Sequence, residues 1–190
     1  MIGRAVAYLK GDGYVGQLAR HDPDEIVEFS SIDRDMFDFF IKFITSKFGK
    51  CGFVRTRIRK NISFVFRTRK ADVLFFFKKY APYGTYEWRI TSKMFRETRK
   101  FKKNFIVGFI EAEGYVDTRA HRITVYSSNL DGIKDFKKLL EEFKISSGIV
   151  GPYAGAYRLL IYGKQNLAKI LDFGFCCKRK ERQLKTILSQ

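Results

Sequence analysis

The sequence predicts an α+β fold built from two similar halves, each ordered helix, strand, strand, helix, strand, strand, helix. Two observations support this prediction: one segment occurs twice in the chain, and matching strand-like and helix-like runs follow each copy in the same order. The chain has 190 residues, of which 45% are hydrophobic, so a packed core is possible and wholesale disorder is excluded.

The repeated segment reads AVAYLKGDGYV at residues 5–15 and IVGFIEAEGYV at residues 106–116. Both copies are apolar and helix-like, contain small residues, and end in an acid followed by Gly, Tyr and Val. Asp12 and Glu113 therefore stand in register, which two unrelated helices would match only by coincidence.

The elements that follow also correspond. EIVEFSS (25–31) and RITVYSS (122–128) read as strands that end in Ser-Ser, and an amphipathic helix follows each. Asp33 can cap the first of these helices, and either Asn129 or Asp131 can cap the second.

Two more strands complete each half, at 52–60 and 62–70 in the first and at 148–155 and 157–163 in the second. Helices are expected near 71–80 and 165–173. A charged stretch then separates the halves. We expect an N-terminal half at 1–92, a linker at 93–103 and a C-terminal half at 104–190.

Charge indicates the class of partner. Lys and Arg number 37 against 20 Asp and Glu, a net charge of +17, which favours a polyanion. Nucleic acid is the first candidate, an anionic membrane surface the second, and a merely basic surface the unspecific alternative. The three cysteines and two histidines fit neither a disulfide framework nor a zinc site.

The segments that target proteins to membranes are not recognisable in the sequence. The first residues lack the layout of a signal peptide, and the longest apolar run, VLFFF at 73–77, is far shorter than a membrane span. We expect a soluble intracellular protein of the cytoplasm or nucleoid, or of an organelle if an organelle encodes it.

Small residues on the repeated helices predict how the halves meet. Ala7 and Gly11 share one helix face, and Gly108 and Ala112 share the equivalent face of the second copy. Small residues at this spacing let two helix backbones approach closely. We therefore expect these four residues to form the interface between the halves.

The acids at the ends of these helices suggest a metal site. Gly13 and Gly114 favour helix termination, so packing the helices side by side would bring Asp12 and Glu113 together. Two close carboxylates repel unless a cation lies there, and Mg²⁺ needs only a few protein oxygens. The alternative is a pair of ordinary exposed acids, but their matched positions in the repeat favour the metal site.

At these residues a family resemblance becomes specific. AVAYLKGDG (5–13) and IVGFIEAEG (106–114) resemble the two copies of the LAGLIDADG motif, and the order of elements is similar to that of single-chain LAGLIDADG homing endonucleases over essentially the whole chain. The first copy departs from the motif, with Lys10 in place of an acid and Ala7 in place of Gly. Neither departure touches the final acid.

The resemblance implies a fold and an activity. The fold is two αββαββα units related by a pseudo-twofold axis, with the motif helices at the interface and two antiparallel sheets forming a saddle over DNA. Asp12 and Glu113 would bind Mg²⁺, and Mn²⁺ or Ca²⁺ can occupy the same sites. The implied reaction is hydrolysis of both strands of double-stranded DNA, leaving short 3′ overhangs.

The resemblance also implies auxiliary groups. A basic residue often precedes the last helix in this family, and Lys178 matches that position, although a solvated helix start explains it equally well. A Gln or Lys is common near the end of the second strand, whereas this chain has Ser30 there. Arg34 can stand at the basic position one turn later, but its counterpart Asp131 does not match.

Strand periodicity predicts a surface that contacts DNA. Arg55, Arg57 and Arg59 alternate with less polar residues, and Arg67 and Arg69 do the same on the next strand. An arginine-lined ribbon suits the major groove, although a solvated sheet is the alternative. The candidate DNA-binding residues are Arg20, Ser30, Arg34, Arg55, Arg57, Arg59, Arg67 and Arg69 in the first half, and Arg119, Arg122, Thr124, Tyr126, Tyr153, Arg158 and Tyr162 in the second.

The two halves present different faces, so we expect a monomer that recognises an asymmetric target. The segment 100–103 and the C-terminal basic helix are expected to bind phosphates. Two rivals stay open: a catalytically silent DNA-binding regulator on the same fold, and an RNA-binding intron maturase. The acids in both motif copies favour the nuclease, whose gene would be carried by an intron or an intein.

Overall fold

The computed structural model describes residues 1–17, 24–58 and 62–190, and it confirms the predicted α+β order. The first half comprises α1 (Ile2–Gly11), β1 (Gly13–Gln17), β2 (Glu25–Ser31), α2 (Arg34–Phe48), β3 (Phe53–Ile58), β4 (Ile62–Thr68) and α3 (Ala71–Lys78). The second comprises α5 (Arg99–Glu113), β5 (Gly114–Asp117), β6 (Arg122–Ser127), α6 (Leu130–Glu141), β7 (Gly148–Tyr153), β8 (Ala156–Tyr162) and α7 (Lys164–Leu171). Two further helices are α4 (Ser92–Phe95) and α8 (Lys178–Leu188).

Each half contains one antiparallel four-stranded sheet with the same topology. The strand order is β1-β2-β4-β3 in the first half and β5-β6-β8-β7 in the second. Phe29 pairs with Phe66 across β2 and β4, and Val125 pairs with Leu159 across β6 and β8. These four side chains are buried, so one face of each sheet lies on the core and leaves the opposite face for other contacts.

Helices α1 and α5 lie side by side at the centre of the molecule. A Cβ on Gly3 would collide with the backbone of Phe101, and one on Gly108 would lie 3.1 Å from the Cβ of Ala7. A Cβ on Gly11 would lie 2.7 Å from the Cβ of Ala112. These contacts advance along both helices in the same direction, so the helices are parallel and their backbones touch, as the small residues predicted.

The segment between the halves is largely helical. Thr91 caps α4 by accepting a hydrogen bond from the backbone N–H of Met94, and Thr98 caps α5 by accepting one from that of Phe101. Residues 99–103, expected as part of the linker, therefore form the first turn of α5 and extend the motif helix by several residues beyond its repeated segment.

The helix caps resolve an alternative that the sequence left open. Asn129, rather than Asp131, caps α6 by accepting a hydrogen bond from the Gly132 N–H at 3.0 Å. Asp33 precedes α2 without a side-chain cap bond and instead accepts hydrogen bonds from the Arg179 guanidinium. Across the described ranges, no helix is long and apolar enough to cross a membrane.

Candidate active site and nucleic-acid interface

The two motif acids lie at the matched ends of the parallel helices. The backbone N–H of Asp12 donates to the Tyr8 carbonyl at 2.9 Å and so ends α1, and Glu113 is the last residue of α5. A Cβ on Gly11 would lie 3.1 Å from Cγ and 3.2 Å from Oε1 of Glu113. The Glu113 side chain thus lies against the residue that precedes Asp12.

Electrostatics at this point favour a bound cation. The surrounding protein removes much of the hydration of Asp12, and this effect, followed by the charge of Glu113, raises the pKa of Asp12 to about 7. Desolvation also raises the pKa of Glu113, and the charge of Lys180 opposes both shifts. Asp12 nevertheless remains open to solvent, so an ion or a phosphate can reach it.

The donor set fits a hard divalent ion that is completed by other ligands. Among the described residues, no cluster of three or more His, Cys, Asp or Glu side chains could enclose a metal. The two paired carboxylates instead suit an ion such as Mg²⁺, which takes one or two protein carboxylates and fills its remaining positions with water and phosphate oxygens.

A separate cavity lies beside each acid. The cavity at Asp12 also contains Ser30, Ser31 and Ala112 of the other motif helix. The cavity at Glu113 contains the equivalent set of Ser127, Ser128 and Gly11, together with Trp88. The two cavities are therefore related by the same pseudo-symmetry as the halves, and each is lined by one of the two motif acids, the cavity at Asp12 also by Asp33 and Glu111.

The basic residue at the site is not the one that the sequence predicted. Lys178 lies at the exposed start of α8, with its ammonium 3.2 Å from Glu181, and it does not line the cavity. Arg179 and Lys180 line the cavity at Asp12 instead. Lys180 shares one face of α8 with the buried Leu184 and Ile187. The spacing of these apolar residues could therefore have predicted that Lys180 points inward.

The penultimate acid of the second motif, Glu111, was not among the predicted site residues. It is 1% exposed and accepts hydrogen bonds from the backbone N–H groups of Cys176 and Cys177, the latter at 2.8 Å. The Tyr8 hydroxyl donates to it at 2.7 Å, and the Arg4 guanidinium lies 3.3 Å away. Glu111 thereby fixes the segment that precedes α8.

The equivalent position of the first motif is Lys10, which is 4% exposed. Its ammonium donates to the carbonyls of Tyr80 and Pro82, both at 2.7 Å, and lies 4.5 Å from the centre of the Tyr83 ring. Desolvation lowers the pKa of Lys10 to about 7. Lys10 fixes the segment that follows α3.

The arginines of the first sheet share one face, as the periodicity predicted. Arg55 pairs with Val65, and Arg57 pairs with Ser63, so both arginines lie on the face opposite the core together with Arg67. Glu28, which the sequence reasoning missed, lies between them and accepts a hydrogen bond from Arg67 at 2.6 Å.

Other predicted contacts in this half are engaged within the protein. Arg57 lies 3.6 Å from Glu28, and Arg69 lies 3.4 Å from Asp24. Arg34 pairs with Asp38 at 2.8 Å on the exposed side of α2 and is not among the residues that line the cavity. The predicted contacts Arg20 and Arg59 fall outside the described residues.

The outer face of the second sheet is more aromatic. Tyr126 pairs with Arg158, whose guanidinium lies 5.7 Å from the Tyr126 ring and 5.0 Å from the Tyr153 ring. Arg122 pairs with the exposed Tyr162 and lies 4.0 Å from Asp117.

Two other predicted contacts behave differently. Arg119 is exposed in the turn after β5. Thr124 is only 2% exposed because β6 is an interior strand, where Tyr115 and Leu160 flank the threonine on both sides. The burial of Thr124 therefore does not support the prediction that it contacts DNA directly.

Comparison with known families identifies part of the chain directly. Residues 100–172 match the family model of the LAGLIDADG-like domain. A relative from Methanocaldococcus jannaschii, named probable translation initiation factor IF-2, is 26% identical over 193 aligned positions, and the alignment covers 95% of this chain and 15% of that protein. A relative of the same name from Thermococcus kodakarensis is 31% identical over 104 residues, covering 54% of this chain and 9% of that protein. The chain thus matches a small part of each relative.

Solved structures show the same fold over nearly the whole chain. The homing endonuclease I-DmoI in complex with DNA and Mn has a TM-score of 0.64 and 14% identity, covering 99% of this chain and 96% of that chain. The homing endonuclease I-WcaI bound to its DNA recognition sequence has a TM-score of 0.70 and 7% identity, covering 96% and 84%. The N-terminal LAGLIDADG domain of DUF199/WhiA has a TM-score of 0.58 and 15% identity, covering 91% and 81%. At these identities the likeness concerns the fold alone.

Proposed function

We propose that this chain, which matches the LAGLIDADG-like domain over residues 100–172 and has the single-chain, two-motif fold, is a site-specific, divalent-metal-dependent DNA endonuclease. It hydrolyses both strands of a long, asymmetric double-stranded target and leaves short 3′ overhangs. One observation carries this proposal: the acids that end the two motif helices lie side by side, each next to its own cavity.

The paired acids are the residues that would hold the metal. Asp12 and Glu113 supply the carboxylates for Mg²⁺, and Mn²⁺ or Ca²⁺ fit the same oxygens. When bound, such an ion neutralises charge at the scissile phosphate and favours the ionised form of a bound water. Glu113 also raises the pKa of Asp12, after the larger effect of desolvation, so ion binding and proton release are coupled.

The sheets are the proposed DNA-binding surface. The outer faces carry Arg55, Arg57 and Arg67 in one half and Arg122 and Arg158 in the other, all positioned by strand register opposite the buried face. Guanidinium groups recognise guanine edges and phosphates bidentately, which suits both base readout and positioning. Since the halves differ in sequence, a single chain in monomeric form reads an asymmetric target.

The relatives suggest how the gene is carried. The matched regions make up only 15% and 9% of proteins that are named as translation factors, whereas this chain has the fold of an endonuclease. We infer that the matched segments are endonuclease domains inserted into larger proteins, as in an intein. This placement makes a DNA site within a coding sequence the expected target.

Selection from DNA tests the activity. The purified chain is incubated with a randomised duplex library and Mg²⁺, and the cut ends are sequenced. We expect one family of cut sites with short 3′ overhangs, and we expect Asp12→Asn or Glu113→Gln to reduce double-strand cleavage by roughly 10³-fold or more while DNA binding persists.

A matched control is Glu141→Gln, which changes an acid on the exposed side of α6 that pairs with Lys137. This variant should cleave at the wild-type rate. Full cleavage by either motif variant, or no cleavage of any duplex by the wild-type chain, would refute the proposal.

A catalytically silent DNA-binding protein is the second candidate. The fold also occurs in the N-terminal LAGLIDADG domain of DUF199/WhiA, and the first motif copy of this chain carries Lys10 in place of an acid. The retained acids at both metal positions favour the nuclease. Binding to duplex DNA without cleavage would favour the silent protein, and tighter binding to intron RNA without DNA cleavage would favour a maturase.

A further inference from the structure

Lys180 is a buried cation that the proposed mechanism has not yet used. It lies in the first turn of α8, is 5% exposed, and lines the cavity at Asp12. A buried lysine is uncommon unless its ammonium is paired or fully hydrogen-bonded. Its surroundings therefore indicate what holds it there.

The ammonium of Lys180 is bound to the end of the second motif helix. It donates to the carbonyls of Ile110 at 3.1 Å, Glu111 at 2.5 Å and Gly114 at 2.6 Å. Ile110 and Glu111 lie in the last turn of α5 and Gly114 is its C-cap residue, so all three carbonyls lie at the negative end of the helix dipole. In the sequence, Glu113 lies between two of these residues, Glu111 and Gly114.

We propose that Lys180 is a positioning residue for the nuclease site: its ammonium fixes the C-terminal end of α5, and with it the Glu113 carboxylate, beside Asp12. This proposal rests on the proposed function, because it concerns the same pair of acids. It assigns to α8 a part of the metal site, although none of its residues is one of the two ligands.

Two further contacts explain why Lys180 stays in place. Glu111 holds the backbone N–H groups of Cys176 and Cys177, immediately before α8. Arg179, the neighbour of Lys180, pairs with Asp33 at 3.0 Å in the other half of the molecule. The start of α8 is therefore fixed from both halves, which keeps Lys180 beside the α5 terminus.

The charge of Lys180 acts in the same direction as its hydrogen bonds. Its ammonium lies at the negative end of the α5 dipole, so the charge strengthens the contact with the three carbonyls. A neutral donor at this position would hold the α5 terminus, and with it the Glu113 carboxylate, less firmly.

Three variants of the full chain separate these roles. Lys180→Met removes both charge and donors, Lys180→Gln keeps amide donors without the charge, and Lys180→Arg keeps the charge in a larger group. Lys134→Met is the matched control, because Lys134 is an exposed lysine of α6 that pairs with Asp131 and belongs to none of the proposed binding surfaces. Each variant is tested for folding by thermal denaturation before use.

The readouts are Mn²⁺ affinity by calorimetry without DNA, DNA affinity with Ca²⁺, and single-turnover cleavage with Mg²⁺. For Lys180→Met we expect metal affinity and cleavage each to fall about 10- to 100-fold, as for residues that orient metal ligands, and DNA affinity to change less than about twofold. Lys180→Gln should recover the thermal stability but not the metal affinity, and Lys180→Arg should recover part of both.

The proposal is overturned if folded Lys180→Met or Lys180→Gln binds Mn²⁺ and cleaves DNA as the wild type does. If Lys180→Met does not fold, Lys180→Gln decides, since it retains donors for the α5 carbonyls. If the wild type cleaves DNA and the Lys180 variants bind Mn²⁺ and cleave equally well, only the role of Lys180 is rejected. If the wild type does not cleave DNA, the proposed nuclease function is rejected.

Discussion

The two halves share a fold but differ at the penultimate motif position, where the first has Lys10 and the second has Glu111. Each of these side chains is buried, and each fixes the segment that follows the last strand–helix unit of one half. Lys10 donates to two backbone carbonyls, whereas Glu111 accepts from two backbone N–H groups. The two equivalent residues thus have the same structural role, although one is positively and the other negatively charged.

The departure from the motif in the first half therefore matches a change in the segment that the residue contacts. The sign of the side chain follows from which backbone groups the neighbouring segment presents, because a buried polar group needs a complementary partner. The carbonyls of Tyr80 and Pro82 require a donor, and the N–H groups of Cys176 and Cys177 require an acceptor. An acid at residue 10 would leave the two carbonyls facing a negative charge.

The largest effect on stability is expected for Glu111→Leu. This change removes the carboxylate partner of the Arg4 guanidinium and leaves two buried backbone N–H groups without their acceptor, at a cost of about 3–5 kcal/mol in the free energy of unfolding. Urea denaturation measures it. Glu141→Gln, which changes an exposed acid, should alter stability by less than about 0.5 kcal/mol. A small effect at Glu111 would show that the N–H groups find other acceptors.

A smaller loss is expected for Lys10→Met, which keeps the shape but removes the donors. The partners left behind are two neutral carbonyls, so the cost should be about 1–3 kcal/mol, below that of Glu111→Leu. Hydrogen exchange should also increase in residues 79–83, the segment that Lys10 fixes. If Lys10→Met lost as much unfolding free energy as Glu111→Leu or more, the difference proposed between the two positions would be contradicted.

The two motif acids should also make stability depend on pH. Burial and the Glu113 charge raise the pKa of Asp12 from 3.8 to about 7, so its stabilising effect is complete below pH 3.8 and is lost as the pH rises through about 7. In a chelator, Asp12→Asn should therefore melt at a higher temperature than the wild type at pH 8 and at a similar temperature near pH 4. Mg²⁺ should reduce the difference at pH 8. A difference that does not depend on pH would contradict the charge coupling.

The smallest effect concerns the residues that precede α2 and α6. Asn129→Ala removes a side-chain cap and should cost about 1 kcal/mol, measured by thermal denaturation. Asp33→Ala removes no cap and breaks a partly exposed pair with Arg179, so it should cost less than about 1 kcal/mol. A greater loss at Asp33 than at Asn129 would mean that the α8 contact matters more to stability than the cap does.

Much of this architecture could be predicted from local sequence patterns. The repeated acids, the small residues at a spacing of four and the alternating arginines each report a periodicity, and periodicity decides which residues share a face. The helix contact between Gly11 and Ala112 and the arginine face around Arg57 follow from it. The order of strands within each sheet does not, because it depends on pairing between distant segments.

The site predictions that the structure does not support concern residues whose burial depends on neighbouring strands or on the phase of a helix. Alternation placed Thr124 on the outer face of its sheet, but only the pairing with β5 and β8 shows that its neighbours cover it. The basic position before the last helix matched Lys178, whereas the phase of the apolar stripe through Leu184 and Ile187 selects Lys180. The role of Glu28 could not be predicted from the sequence, because its arginine partners lie on two strands far along the chain, Arg57 on β3 and Arg67 on β4.

The close packing of α1 has a consequence for how the chain folds. From Gly3 to Lys10, each residue of this first helix is buried, and its glycine face lies on the backbone of α5. During synthesis, residues 99–113 are made only after the whole N-terminal half. Helix α1 therefore has no packing partner while the rest of its half folds. Contacts of such long sequence separation slow folding. An N-terminal half made alone should therefore expose this helix and self-associate through it.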